Sequence, residues 1–245
     1  MIGWYNRAVM RLALLLAASL PLLFAASCSS NGAEETPSLP DVDAREALQR
    51  SLEAMKALQS YRVEVAYEGG PPSVIEFASP NDYHWISQTS DARVSETILV
   101  GDSGYLRSCK EVGKECSNWQ EEARSSPTFA GILYSLQWPL VALEMTEPTE
   151  LFDAAGGVSG ASVGVRGSVD LVAAVQEAQR REQQATPPSS PISTFSSTIE
   201  ISMSPADFLT HRLMISSTSA SPGAQGPTWT VTYSNFNQVT VVPPA

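Results

Sequence analysis

Cys28 stands at the end of an apolar run and directly before two serines, where cleavage of a leader would leave its thiol at a new chain end. Arg7 and Arg11 form a short basic segment, and Leu12 to Ala26 is apolar apart from one serine and one proline. This order of basic, apolar and small residues is typical of a secretory signal. Because the apolar run is shorter than the ~20 residues needed to span a bilayer, the pattern predicts a signal peptide over residues 1–27.

Ala25-Ala26-Ser27-Cys28 resembles the lipobox of bacterial lipoproteins, with Ala25 at the position where Leu is usual. The resemblance implies that the Cys28 thiol receives a diacylglycerol and that this cysteine becomes the new N-terminus. Two acyl chains on one residue give stable anchoring, whereas a single chain is marginal. We therefore expect a protein anchored by lipid to the extracytoplasmic face of the cell membrane. The alternative is an ordinary cleaved signal in which Cys28 is incidental.

The other two cysteines, Cys109 and Cys116, flank KEVGKE, a polar segment with a glycine that is typical of a hairpin tip. If Cys28 carries lipid, they remain as a pair in an oxidising compartment, where a disulfide persists. A metal site is disfavoured because the spacing is not C-x-x-C and only His84 and His211 could add nitrogen ligands. The sequence predicts a structural disulfide.

Ser162 lies in Gly160-Ala161-Ser162-Val163-Gly164, which matches the G-x-S-x-G nucleophile elbow of α/β-hydrolases. The histidine and acids that could complete a triad lie downstream: His211, Asp170 and Asp207. An elbow requires a buried strand before the serine and a helix directly after it. Here the residues before Ser162 are rich in glycine, and VGVRGSV after it predicts an extended segment. We therefore expect no catalytic residue and no enzyme activity.

Other chemical motifs are absent from the sequence. It has no G-x-G-x-x-G or P-loop pattern and no H-E-x-x-H helix pattern, so no cofactor and no metal is expected. Glu144, Glu147 and Glu150 cluster beside a proline and are predicted to lie in a solvated loop.

The charge of the chain limits its partners. The formal net charge is −11, and cleavage of residues 1–27 would make the remainder more negative because it removes Arg7 and Arg11. Such an acidic surface argues against nucleic acid and against electrostatic docking on anionic lipids. Residues 28–42 are polar with two prolines and predict a flexible tether. The domain is expected to occupy residues 43–245, a length typical of one β-rich domain.

The elements of this domain follow from caps and periodicity. Asp43 is a good N-cap with Glu46 three residues on, and an apolar stripe at helical spacing runs through Leu58. From Tyr61 the apolar residues alternate with polar ones, which indicates strands. Further strands are predicted over these segments: 61–67, 74–78, 83–88, 94–100, 161–169, 195–203, a segment beginning at 211, and 229–233.

Two helical segments interrupt the strands. Residues 170–184 predict one helix, and a short apolar segment ending at Trp138-Pro139 predicts the other. A sheet with one apolar face must bury that face against other elements. With few helices for many strands, the sequence predicts an α+β fold in which an incomplete, half-open antiparallel β-barrel has helices covering its concave face.

Four stretches together resemble the LolA/LppX-like family of bacterial envelope lipoproteins and lipoprotein carriers. They are MKALQSYRVEVAYEG (55–69), ILVGDSGYLR (98–107) continuing to Trp119, MSPADFLTHRLMIS (203–216) and TWTVTYSNFNQVTVVPP (228–244). The resemblance implies a half-barrel with a hydrophobic cavity that holds acyl chains of lipids or lipoproteins. Because the LolA carrier itself is not lipidated, Cys28 indicates the anchored branch.

An acyl chain requires apolar area, and each buried CH₂ contributes roughly 0.8 kcal/mol. The candidate lining residues from the sheet are Val63, Val65, Ile75, Phe77, Trp85, Ile199, Ile201, Trp229 and Val231. Those from the covering helix are Phe129, Ile132, Leu133 and Leu136. Each of them could instead be ordinary packed core.

The leading hypothesis is therefore a lipid-anchored envelope protein that binds a lipid or acylated molecule in its cavity for transport or sequestration, with an envelope protein as a candidate partner. The alternative is a sensor or interaction module of the same fold with a filled core and no ligand.

Overall fold

The computed structural model of the chain describes residues 41–88, 93–154, 162–183, 196–218 and 225–244, with the backbone but not the side chains of 130–136, 182, 183, 196, 218 and 225. The predicted signal peptide, Cys28 and most of the predicted tether lie outside the described residues. Within the described residues, no helix is both long enough and apolar enough to cross a membrane.

The first helix, α1 (Ala44–Lys56), begins where the sequence predicts it. Asp43 is the N-cap, and its Oδ1 accepts a hydrogen bond of 2.8 Å from the backbone N–H of Glu46. Ala47, Leu48 and Met55 are buried on one side of the helix. The helix packs on the strands β8 and β9 defined below.

Seven strands follow α1 in the described part of the chain. They are β1 (Ser60–Tyr67), β2 (Ser73–Ala78), β3 (Asp82–Gln88), β4 (Val94–Val100), β5 (Ser103–Glu111), β6 (Lys114–Cys116) and β7 (Gln120–Ala123). The remaining elements are α2 (Pro127–Glu144), β8 (Glu147–Asp153), β9 (Val163–Asp170), α3 (Leu171–Gln183), β10 (Ser196–Met203), β11 (Thr210–Thr218) and β12 (Gln225–Ser234).

The described strands form one 12-stranded antiparallel sheet in the order β6-β5-β4-β3-β2-β1-β12-β11-β10-β9-β8, and β7 pairs with β5. β1 and β12, the first and last strands along the chain, therefore pair side by side. Among the described pairings, none joins β8 to β6 or β7, so the sheet is open and does not close into a barrel. The predicted α+β class with an open antiparallel sheet is confirmed.

The two faces of the sheet differ in polarity. One face, which we call the inner face, carries the apolar residues that alternate from Tyr61 onward, and these form one buried cluster with residues of α1, α2 and α3. The opposite, outer face carries ion pairs between neighbouring strands: Arg62–Glu76, Arg107–Glu96, Arg166–Glu150 and Arg166–Glu200. The helices therefore cover the inner face.

Two local predictions are wrong. The apolar helix does not end at Trp138-Pro139 but continues to Glu144 with Pro139 inside it. Val141, Ala142 and Leu143 are buried and α2 packs on α3, so tertiary packing outweighs the helix-breaking tendency of proline.

The predicted acidic loop is an element boundary instead. Glu144 ends α2, and Glu147 and Glu150 belong to the edge strand β8. Charged residues and a proline are typical of edge strands because such a strand pairs on one side only.

Candidate functional site

On β1, β2 and β3 the inner face carries a row of aromatic rings. The ring centroids of Tyr61 and Phe77 are 4.9 Å apart, and those of Phe77 and Tyr83 are 5.4 Å apart. Tyr233 of β12 extends the row, with its ring centroid 5.9 Å from that of Tyr61. Such tilted and edge-on aromatic pairs are favourable beyond the area that they bury.

Two tyrosine hydroxyls of this row lie deep in the protein. Burial raises the pKa of both Tyr61 and Tyr233 above the ordinary value, and each is raised further by a neighbouring tyrosine. The Tyr233 hydroxyl is buried without a hydrogen-bond partner among the described residues. Both side chains are therefore neutral and contribute apolar ring surface to the inner face.

The sheet candidates from the sequence all lie on the inner face, which the strand registers establish. Val63 pairs with Ile75 and Ile75 with Trp85, while Val65 pairs with Val231. The same register places the other candidates on this face: Phe77, Ile199, Ile201 and Trp229. The structure thus brings the nine predicted sheet residues onto one surface.

Burial divides these residues into two groups. Val63, Ile75, Ile199, Ile201 and Val231 are fully buried against other protein atoms. The others are only half-buried although they are large and apolar: Val65, Phe77, Trp85 and Trp229. Three of these five residues lie on β10 and β12, and all five belong to the buried cluster that includes residues of the three helices, so they serve as packed core in the present structure.

The half-buried residues lie beside a polar row on the same face. Alternation along β2, β3, β4 and β5 places Ser73, Ser87, Ser95 and Ser108 one step beyond the row that contains Trp85. Leu106 of that apolar row is also half-buried, and Tyr67 next to Trp229 in the register is 50% exposed. On β2 to β5 the inner face therefore changes within three residue steps from the aromatic row, through the row of Trp85, buried Thr97 and Leu106, to hydroxyl groups. On β1 and β12 it stays apolar, since Val65 continues the serine row and Trp229 lies one step further.

Phe129 fixes the beginning of α2 on this face. It is fully buried, and its ring lies so close to Gly104 of β5 that a Cβ at that position would be 2.3 Å from a ring carbon. Ser126 caps the helix by accepting from the backbone N–H of Thr128. The side chains of Ile132, Leu133 and Leu136 lie outside the described residues, so their predicted role is untested.

The serine motif does not form a nucleophile elbow. The Ser162 hydroxyl is buried and donates to the carbonyl oxygen of Ala154. Val163 then begins β9, where an elbow would need a helix. Downstream, the ring of His211 packs against that of Phe236, with centroids 5.3 Å apart. Through this hydrogen bond Ser162, just before β9, is linked to Ala154, just after β8.

Cys109 and Cys116 form the predicted disulfide, which joins β5 to β6 across a directly paired position. Glu96 is near enough that one of its oxygens and the two sulfur atoms lie within 4.8 Å of one another. The sulfurs are bonded to each other, and Glu96 forms an ion pair of 2.6 Å with Arg107. This cluster is therefore a structural disulfide beside an ion pair.

Several inner-face residues were not among the sequence candidates. Leu213 and Ile215 of β11 pair with Ile201 and Ile199 and are fully buried. Their alternation with polar neighbours over 211–217 was a usable signal. Leu106 had no such signal, since its place on the inner face depends on the register of β5 with β4.

The strand order, the open edges and the helices on one face define a class of single-sheet α+β proteins. Solved structures similar to this chain include two mycobacterial proteins. LprF from Mycobacterium bovis superposes with a TM-score of 0.52 at 16% identity, covering 82% of this chain and 96% of that chain. The lipoprotein LppX of Mycobacterium tuberculosis superposes with a TM-score of 0.49 at 15% identity, covering 81% of this chain and 98% of that chain.

No family model matches the sequence, and a search of curated proteins finds no match. At so low an identity the similarity to LprF concerns the fold alone. The predicted resemblance is confirmed at that level, as a structural similarity.

Proposed function

We propose that this chain is a lipid-anchored envelope protein that binds the acyl part of a lipid or lipoprotein on the inner face of its sheet. The observation that carries the proposal is the half-covered apolar surface of Val65, Trp85, Leu106 and Trp229 next to a row of serines. Soluble proteins usually bury such large side chains, and a partly covered group of them is typical of a binding site.

The gradient of polarity fits an amphiphile. An acyl chain lying on the apolar residues gains free energy for each buried CH₂, without needing polar partners. The serine row offers hydroxyl donors and acceptors at the end where a headgroup would lie. The proposed binding region is therefore the inner face of β1 to β5 together with Trp229 of β12, whereas Ile199 and Ile201 belong to the packed core.

The predicted lipobox supplies the second support. A diacylglycerol on Cys28 would hold the domain at a membrane, the source of such amphiphiles. This part rests on the sequence, since Cys28 lies outside the described residues. Transport and sequestration are both compatible with the proposed site.

Two neighbouring residues of β1 provide a matched test. Val65 faces inward and Ala66 faces outward, and both are half-buried. We expect Val65→Asp to weaken binding of a fluorescent fatty acid at least tenfold, because an unpaired charge on the acyl surface is costly. Ala66→Asp should leave binding within twofold. Equal affinity in wild type and both variants would contradict the proposed site.

A further inference from the structure

Four large apolar side chains of the described residues are exposed, and three of them lie at the same end of the sheet. The exposed fraction is 50% for Tyr67, 59% for Val112, 37% for Met145 and 61% for Val242. Tyr67 is the last residue of β1, Val112 directly follows β5, and Met145 lies two residues before β8. Val242 lies elsewhere, where residues 240–244 cross the outer face and line a cavity of about 550 Å³, the outer cavity.

The common end follows from the strand order. Neighbouring strands of an antiparallel sheet run in opposite directions, so β1, β3 and β5 end where β2 and β4 begin. In the other direction from β1, the strands β12, β10 and β8 begin at this end, and β11 and β9 finish there. We call this end of the sheet the rim. It carries Tyr67, Val112 and Met145 at positions spread from β5 to β8.

Tyr67 is held in its exposed position by the turn that follows it. Its ring occupies the space that a Cβ at Gly70 would take, and the Gly70 N–H donates to the Tyr67 carbonyl oxygen at 3.0 Å. The ring therefore lies on the turn with half of its surface exposed. Trp229, its half-buried neighbour in the register, and the exposed Pro72 extend the apolar surface. A tyrosine, with an apolar ring and a polar hydroxyl, suits the boundary between hydrocarbon and water.

The charges at the rim do not favour an anionic partner. Acids pair with the two lysines that flank Val112 in the chain and with the two cations around Glu144, beside Met145: Lys110–Glu115, Lys114–Glu111, Lys56–Glu144 and Arg181–Glu144. Glu68 and Glu147 add exposed negative charge next to Tyr67 and Met145. Anionic lipids attract proteins through basic residues at the membrane surface. The rim therefore matches a surface without net charge.

The spacing of the three side chains favours a lipid surface over a protein partner. β1 is four strand steps from β5 and five from β8, which corresponds to about 20 Å and about 24 Å along the sheet. A protein interface is centred on one contiguous apolar patch with a polar rim around it. A fluid lipid surface accepts separate apolar side chains with charged residues between them, as they are arranged here.

We propose that the rim docks on the headgroup region of a lipid bilayer without net charge, with Tyr67, Val112 and Met145 inserted. The reason for docking rests on the proposed function: the serine row and Trp229 lie toward the rim on the inner face. Docking would therefore place the open end of the acyl site on the membrane, the source of its ligand. The predicted anchor at Cys28 would keep the domain close to that surface.

Fluorescent labels test which part of the molecule meets the bilayer. The full chain carries Cys28→Ala, so that an introduced cysteine is the only thiol outside the disulfide. An environment-sensitive NBD group is attached at Val112→Cys, at Met145→Cys or, as the control, at Val242→Cys, and phosphatidylcholine vesicles are added. We expect emission at the two rim positions to rise at least about twofold and to be quenched by spin-labelled lipid, with no change at Val242→Cys. An equal response at all three positions, or none at the rim, would overturn the proposal. A response that follows protein concentration without vesicles would do so too, because it would indicate contact between copies of the chain.

Serine variants measure the contribution of the exposed side chains, with the label at Pro72→Cys. The combined variant Tyr67→Ser, Val112→Ser and Met145→Ser should need at least about tenfold more lipid for a half-maximal response, because apolar burial is lost. Val242→Ser should stay within about twofold of the parent, and residues 1–27 are common to all variants. Phosphatidylglycerol in the vesicles should not strengthen the response. A severalfold gain from this anionic lipid, or equal loss in Val242→Ser, would contradict docking through the rim.

Val65→Asp separates docking from the proposed acyl site. It should abolish binding of a fluorescent fatty acid in solution while it leaves the vesicle response of the rim labels within about twofold. Failure of the acyl proposal alone would therefore leave the vesicle response intact. If Val65→Asp removes that response, the labels report lipid uptake by the inner face, and the rim is not a docking surface.

Discussion

At the scale of single residues, Gly104 decides how α2 meets the sheet. The ring of Phe129 occupies the space in which any side chain at this position would lie. Gly104 is in a strand, where glycine normally weakens the structure. Its absent Cβ lets an aromatic ring pack directly on the backbone of β5, so the beginning of α2 is held against the inner face.

Gly104→Ala should therefore lower the free energy of unfolding by about 1–3 kcal/mol, as overpacking in a core does. Urea unfolding of Gly104→Ala, of Phe129→Ala and of the double variant measures the coupling between the two residues. In a Phe129→Ala background the glycine substitution should cost much less, because the clash is gone and the two changes are not additive. Additive effects would mean that the ring does not rest on Gly104 in solution.

At the scale of elements, three helices meet at Glu144. Its carboxylate lies 2.9 Å from Nζ of Lys56 at the end of α1 and 2.7 Å from Nη1 of Arg181 in α3. Partial burial alone would raise the pKa of Glu144, but the hydrogen bonds and charges of Lys56 and Arg181 outweigh it. The net result is a pKa below the ordinary value of 4.5.

Because the pKa of Glu144 is lowered by folding, its contribution to stability is present above the unfolded-state pKa and is lost as the pH falls through the folded-state pKa. Glu144→Gln should lower the free energy of unfolding at pH 7 by about 1 kcal/mol or less, the size of exposed ion pairs. The gap to wild type should close in urea titrations as the pH falls below the ordinary carboxyl value of 4.5. The exposed Glu68→Gln variant is the control, and a gap independent of pH would contradict the ionic role.

The helix α2 also carries the sequence-based prediction for the cover of the site. Leu133→Asp should weaken binding of an acyl probe strongly while it lowers the melting temperature only slightly, because movable covers have few fixed contacts. If Leu133 were packed core, the substitution would instead lower the melting temperature strongly and affect probe binding little, since a charge buried without a partner costs several kcal/mol. Circular dichroism melting and probe titration of the same variant distinguish the two.

The elements show what sequence reasoning reached and where it stopped. β3 and β4 were predicted within one residue because alternating apolar residues and turn signals bracket them. β8 was missed because an edge strand pairs on one side only and has no alternating pattern to detect. The end of α2 was missed because its residues after Pro139 are held by α3, a contact that local sequence does not encode.

The candidate site was likewise predicted from the sequence only in part. Alternation was enough to place the sheet candidates on one face. Alternation did not predict how deeply each side chain is buried, because the burial of Ile199 and the partial exposure of Trp85 depend on where the helices pack. The outer cavity was not foreseen, since it forms only when residues 240–244 cross strands that are distant in the sequence.

At the scale of the whole molecule, the proposed protein has a membrane anchor joined to a binding domain through the predicted tether. The described core is formed by residues from Val42 to Phe236, which lie after the predicted anchor and nearly all of the predicted tether. Anchor and fold should therefore be separable by mutation.

Cys28→Ala should move the protein from the membrane fraction to the soluble fraction of cells while its circular dichroism and melting temperature stay the same. The reason is that two acyl chains on Cys28 would provide the membrane affinity. A variant that remains in the membrane fraction through high-salt and carbonate washes would refute the lipid anchor.

The central claim is that the inner face holds an acyl chain, and native mass spectrometry tests it most directly. The full chain is purified from a lipid-containing host, and its mass is compared with that of the Val65→Asp and Ala66→Asp variants. The account predicts a bound lipid on the wild type and on Ala66→Asp, and little or none on Val65→Asp. A wild-type protein that carries no lipid and takes up no fluorescent fatty acid would contradict the account and favour a filled core without a ligand.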